Sequence, residues 1–228
     1  MVNRSKRYAE AEARIDRARR YDPNDALSLI KSLGSAKFDE TVDIVVKLGI
    51  DPRKSDQLVR GAVSLPKGLG KTVKVIVFAE GDKAEAAKEA GADEVGSADL
   101  AERIEGGWMD FDVVIASPDM MRYVGKLGKV LGPQGKMPSP KSGTVTPDVA
   151  GAVTEFKAGK VEFRTDSGGN VHAPLGKRSF SVEDLAENLG AFLRHLEGMR
   201  PPAVKGHFMR KVSISTTMGP GALIAWEE

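Results

Sequence analysis

Hydrophobic and polar positions follow two different patterns along this chain, and the changes between them mark its organisation. From Val73 to Ala79 the residues are Val-Lys-Val-Ile-Val-Phe-Ala, followed by Gly81-Asp82 and the alanine-rich stretch Lys83 to Ala90. That order predicts a buried strand and then a helix. Asp93-Glu94-Val95 predicts a brief strand, Ser97 opens a helix over Ala98 to Glu105, Phe111 to Ala116 predicts a third strand, and a helix follows Pro118. Alternating strand and helix imply a parallel sheet covered by helices.

The flanking segments alternate with the period of a strand. Phe38, Glu40, Val42, Ile44 and Val46 interleave with Asp39, Thr41, Asp43 and Val45, which predicts a strand with at least one buried face. Val161 to Thr165 and Asn170 to Ala173 flank the hairpin signal Asp166-Ser167-Gly168-Gly169, and Phe208, Arg210, Val212, Ile214 and Thr216 predict a further strand. Ser181-Val182-Glu183-Asp184 is a capping start for a helix whose apolar side is Leu185, Leu189, Phe192, Leu193 and Leu196, closed by Gly198 and Pro201-Pro202. Neither flank holds enough strands to fold alone, so the two are expected to fold together. The chain thus reads as α/β and α+β in two domains. One is a discontinuous α+β domain with a mainly antiparallel sheet, residues 1–67 plus 160–228. The other is an inserted doubly wound, Rossmann-like parallel-sheet domain, residues 68–159. Leu65-Pro66-Lys67-Gly68 and Lys157-Ala158-Gly159-Lys160 are the expected crossings.

Composition narrows the function classes. With 228 residues, 41% hydrophobic and 29% charged, the chain is long enough for a buried core. It has no run of about 18 apolar residues, and its charged start lacks a signal-peptide core, so no membrane and a cytosolic location are expected. The absence of cysteine excludes disulfides, thiolate metal sites and cysteine nucleophiles. Net charge is only +2, but residues 68–159 hold 11 Lys and Arg against 14 Asp and Glu, leaving 23 against 18 for the flanks. A basic outer part thus surrounds an acidic insert, the side expected to meet an anionic partner.

Catalytic signatures are weak. Gly68-Leu69-Gly70-Lys71-Thr72 ends like a phosphate-binding loop, but Leu65 stands where the first glycine belongs and the next element is a predicted strand. His172, His195 and His207 show no metal-ligand spacing, and Asp39-Glu40 and Glu183-Asp184 read as solvated or helix-start charges. No enzyme, metal or cofactor is expected. Two loops are more suggestive. Leu131 to Val145 is dense in Gly, Pro and Lys, with Gly132, Gly135, Lys136 and Lys141 suited either to meeting phosphate or to a plain connector. In Ser213 to Gly221 a strand runs out into hydroxyls, a methionine and glycines, which suits RNA sugars and phosphates or a simple strand end. An enzyme binding a nucleotide or sugar phosphate at the inserted sheet, and a protein-interaction module, are the rival classes.

Gly132 to Val145 resembles the signature G-P-x-G-x-M-P-x-P-K-x-G-T-V of the ribosomal protein L-one family. Lys37-Phe38-Asp39-Glu40-Thr41 with Val46 to Arg53, Gly176-Lys177 with Ser179-Phe180, and Thr217-Met218-Gly219-Pro220 are similar to that family in the same order. Lys67, Leu69, Ser139 and Leu175 depart from it. The resemblance implies a discontinuous first domain bound to large-subunit (23S-type) rRNA as one copy in a mobile stalk. It also implies contact with exit-site tRNA and its release, and repression of the protein's own operon mRNA. Carried over by residue, it implies RNA contacts at Lys37, Phe38, Thr41, Ser215, Thr217, Met218 and Gly219, with Lys47, Arg53, Arg164 and Lys177 beside them. Phe38 could instead be a core residue of its strand.

Overall fold

A computed structural model describes residues 4–34 and 36–226. In chain order the elements are α1 (Lys6–Glu12), β1 (Arg20–Tyr21), α2 (Pro23–Leu33), β2 (Thr41–Leu48), β3 (Arg60–Ser64), β4 (Val75–Phe78), α3 (Asp82–Glu89), β5 (Glu94–Gly96), α4 (Ala98–Glu105) and β6 (Val113–Ala116). There follow α5 (Met121–Val124), α6 (Gly128–Leu131), α7 (Val149–Ala158), β7 (Lys160–Arg164), β8 (Asn170–Lys177), α8 (Val182–Gly198), β9 (Met209–Thr216) and β10 (Ala222–Ile224). The chain divides into two compact units, one running to Gly70 and resuming at Val161, the other Lys71–Lys160.

In the discontinuous unit, the five-stranded sheet has the order β1-β10-β9-β2-β8, with β2 antiparallel to both neighbours. Alternation along β2 sends Val42, Ile44, Val46 and Leu48 into the core and leaves Thr41, Asp43, Val45 and Lys47 on the other face. Buried Leu27 and Ile30 of α2 and Leu185, Leu189, Phe192, Leu193 and Leu196 of α8 belong to the same core. Each such leucine or phenylalanine contributes about 1.5–3 kcal/mol by leaving water. The predicted cap of α8 forms, with Asp184 N–H donating to Ser181 Oγ at 3.0 Å. Pro174 sits in β8, an edge strand, opposite Asp43 beside the register shift between Val42 and Asp43, and edges and bulges are where a sheet tolerates proline.

The predicted hairpin is half realised. The Asp166–Gly169 turn closes, and Asp166 accepts hydrogen bonds from the Asn170 side chain and backbone, which hold its carboxyl well below the usual carboxylate range. The flanking strands are joined only by the Thr165–Val171 bridge; β7 pairs with β3 and β8 with β2. Turn chemistry fixes the reversal, whereas strand partners are chosen by burial far away in sequence. The β2 ladder also begins at Thr41 rather than Phe38, and Phe38 is 53% exposed rather than in the core.

In the inserted unit, three parallel strands run in the order β5-β4-β6. Every residue of β4 is buried because both faces are covered. Val75 and Val77 meet Val153 and Phe156 of α7, while Ile76 and Phe78 meet Leu100 and Ile104 of α4. The helix expected after Pro118 is broken into short turns, consistent with glycines at 125, 128 and 132. Gly68 to Thr72 leads into β4, a strand, and Lys71 pairs with Asp112 at 2.8 Å.

Candidate nucleic-acid interface

Three strand ends meet at one end of the large sheet. Thr41 opens β2 opposite Lys177, the last residue of β8, and Val42 lies opposite Thr216, the last residue of β9. Thr217 continues the ladder past its end: its N–H donates to Thr41 C=O at 3.1 Å, and its hydroxyl accepts from Thr41 N–H at 3.0 Å. Lys177 donates to the Thr41 hydroxyl at 3.1 Å. Gly219 packs so closely that a Cβ there would lie 2.4 Å from Thr216 Oγ1, so no larger residue fits without a shift.

Beneath these loops lies Glu40, fully buried and not the solvated charge predicted from sequence. The alternation places it on the inward face, but two of its partners, Met218 and Arg178, lie far away in sequence. Its carboxylate accepts from Ala36 N–H at 3.2 Å and Met218 N–H at 3.0 Å, and pairs with Arg178 at 3.4 Å. Burial pushes its pKa up, but the Met218 N–H, the Ala36 N–H and the Arg178 charge outweigh burial and hold it below the usual carboxylate range. One buried anion thus ties together the backbones of two surface loops, 36–39 and 217–219. Asp39 holds a third segment, accepting from Ser179 N–H at 3.1 Å and Ser179 Oγ at 2.7 Å.

Among the described residues three large apolar side chains are exposed, and two of them, Phe38 and Met218 (49% exposed), stand on the loops that Glu40 anchors. Lys37 is exposed beside them, and Ser215 lies one step back, opposite Asp43. Burial raises the Asp43 carboxyl, against the opposing charges of Lys177 and His172. The remaining cations lie elsewhere. Lys47 ends the same face of β2 about 20 Å away at ~3.3 Å per residue, its ammonium on Gly168 C=O of the turn, and Arg53 and Arg164 are exposed on segments following β2 and ending β7. In the inserted unit Gly132, Gly135 and Lys141 are exposed, but the Lys136 ammonium is turned back onto Phe111 C=O and over the Phe111 ring. Exposed Arg122, Lys126 and Lys129 recur at helical spacing nearby. The i, i+4, i+7 charge pattern could have revealed them in the sequence.

Thr217→Val keeps the side chain's shape but leaves Thr41 N–H without its acceptor. A loss of about 1 kcal/mol is expected, seen as a melting temperature lower by roughly 2–4 °C. Unchanged melting in a scanning calorimeter would show that this hydrogen bond does not hold the loop.

Two exposed apolar side chains thus stand on a backbone fixed from beneath. Among the described residues no group of His, Cys, Asp and Glu is arranged to hold a metal, and no helix is long and apolar enough to cross a membrane. Residues 29–220 match the ribosomal protein L1p/L10e family. The chain is 56% identical to the large ribosomal subunit protein uL1 of Cutibacterium acnes over 223 residues, covering 98% of this chain and 96% of the relative. It is 58% identical to that of Bordetella pertussis over 224 residues (98% and 97%), and 56% identical to that of Kosmotoga olearia over 221 residues (97% and 96%). The chain therefore belongs to the ribosomal protein L1p/L10e family, a structural and non-enzymatic class whose members are parts of a ribonucleoprotein.

Proposed function

We propose that this chain binds large-subunit rRNA through the Glu40-anchored end of its sheet, as a structural constituent of the subunit. The observation that carries this reading is the exposure of Phe38 and Met218 on two loops fixed by one buried carboxylate. An exposed aromatic ring can stack on an unpaired base, a thioether adapts to irregular apolar contact, and Lys37 and Lys177 supply charge. Because their backbones are already ordered, little freedom is lost on binding. In the mobile stalk that such a complex forms, the inserted unit offers exposed Arg122, Lys126, Lys129 and Lys141 to exit-site tRNA and assists its release. The same sheet end, presented with a matching fold in the chain's own operon mRNA, takes that RNA instead, so rRNA and message compete for one site.

Nuclease protection of large-subunit rRNA by the full chain, followed by equilibrium binding to the protected fragment, tests this. Phe38→Ala and Met218→Ala should each weaken binding by about 1–3 kcal/mol, the scale of one base stack, with unchanged circular dichroism. Joining Gly70 to Val161 through a short linker should leave rRNA affinity within about tenfold, or ~1.4 kcal/mol, while tRNA binding disappears. The cut leaves the sheet end and its separate core whole, and β3 and β7, which lead out and back, are paired strands. Full rRNA affinity in both alanine variants would refute the assignment of the site.

A further inference from the structure

At the opposite end of β9 from Thr217, two adjoining depressions of about 280 and 800 Å³ share Arg20, Met209, Arg210 and Trp226 in their walls. Arg20, Lys205, Arg210 and Lys211 line them, all exposed, and no described carboxylate stands in either wall. None of these four cations has an ion-pair partner among the described residues, whereas neighbouring Arg17 is paired with Glu12.

The backbone is shaped to present them. Lys47 lies opposite Lys211 and Leu48 opposite Met209, so Arg210 is the extra residue of a β-bulge and escapes the strict alternation of the strand. Gly49 makes room for it: a Cβ there would lie 3.1 Å from Arg210 Nε and 2.3 Å from His207 C=O. The register also sets Lys47 directly against Lys211, a like-charge pair that costs stability in the free protein. A cluster of cations with no ion-pair partner among the described residues, maintained at that cost, is complementary to a polyanion, and Trp226 adds a half-buried aromatic surface.

We propose that this cleft is a second RNA-binding site, holding phosphates of the same RNA that docks at the Glu40-anchored end. The inference rests on the rRNA reading above. β9 spans eight residues between the two sites, about 23 Å at ~3.3 Å per residue. One RNA element can therefore reach both. The hydroxyl end selects by shape and the basic cleft supplies charge.

The test uses the full chain and the rRNA fragment that it protects from nuclease. An Arg20→Gln/Arg210→Gln variant, checked for folding by its thermal melt, should bind about tenfold more weakly near 0.1 M salt. Its slope of log affinity against log salt should fall by about 1.8, the release expected for two phosphates. Of the chain's two tryptophans, Trp108→Phe leaves Trp226 as the sole indole, whose emission should change on adding RNA. If Met218→Ala weakens binding while the double variant keeps both affinity and slope, the cleft proposal fails and the rRNA reading stands. If neither weakens it, both fail. A Trp226 response to polyglutamate and not to polyuridylate would reassign the cleft to an acidic protein and overturn the proposal.

Discussion

Glu40→Ala is expected to destabilise the discontinuous unit by about 3 kcal/mol, the lower end of what removing one member of a buried ion pair costs. The lower end applies because Arg178, at 28% exposed, can partly rehydrate, whereas Ala36 N–H and Met218 N–H lose their acceptor together. Affinity for rRNA should fall as well, since both surface loops lose their common anchor. The pH dependence has a definite sign. Glu40's pKa is lowered in the folded chain, so its contribution is fully present above the ordinary glutamate value of about 4.3 and is lost as pH falls through the lower folded value. Glu40→Gln, which keeps the shape and loses the charge, should therefore differ from the parent in urea midpoint at neutral pH and converge on it in acid. A gap that stays constant down to about pH 3 would mean that shape, and not charge, makes Glu40 matter.

The two textures of the chain were legible because each reports burial directly. β4 reads as a continuous apolar run since helices cover both its faces, and β2 alternates since one face is open. Helix α8 was legible through Ser181 and its leucine spacing, all of which became core. Helix α2 was missed although Asp22-Pro23 is a cap followed by proline in the first turn, and Ala26, Leu27, Ile30 and Leu33 form its buried face. The capped start and the apolar spacing are of the same kind as those of α8, so the signal for this helix was present in the sequence.

The site was legible only in part, for a physical reason. The family resemblance pointed to Lys37, Phe38, Thr41, Thr217, Met218 and Gly219, and the fold gathers Thr41, Thr217 and the loops beside them at one sheet end. It did not mark what holds them, because Glu40 is joined to Met218 across 178 positions and to Arg178 across 138. Local periodicity says which face a residue occupies, never which distant group it will meet there. Lys136 shows the converse: a lysine in a Gly-Pro loop looks free in sequence, and here its charge is held by two backbone carbonyls.

Asn188→Leu should cost the discontinuous unit about 3 kcal/mol, although leucine keeps asparagine's branching at Cγ and favours helix more. Asn188 lies midway along α8 with no exposed surface, a poor place for an amide unless it is fully paired. It is: its Oδ1 accepts from Lys67 N–H at 3.0 Å, and its Nδ2 donates to Gly68 C=O at 3.1 Å and Leu175 C=O at 2.7 Å. One side chain therefore does for the segment after β3 what a neighbouring strand would otherwise do. Leucine would leave those three backbone groups without partners, at about 1 kcal/mol each for the incompletely buried ones and more for Leu175. The competing anchors are weaker, because Lys67 reaches Asp184 and Glu187 at 3.3 and 3.4 Å from the surface. Such exposed pairs are screened by solvent and add little to stability. Urea denaturation should thus show a large loss for Asn188→Leu and almost none for Lys67→Met. Hydrogen exchange should quicken first at Lys67, before any global opening of the sheet. If Lys67→Met proves the more damaging change, the ion pairs rather than the buried amide hold the chain where it passes toward the inserted unit.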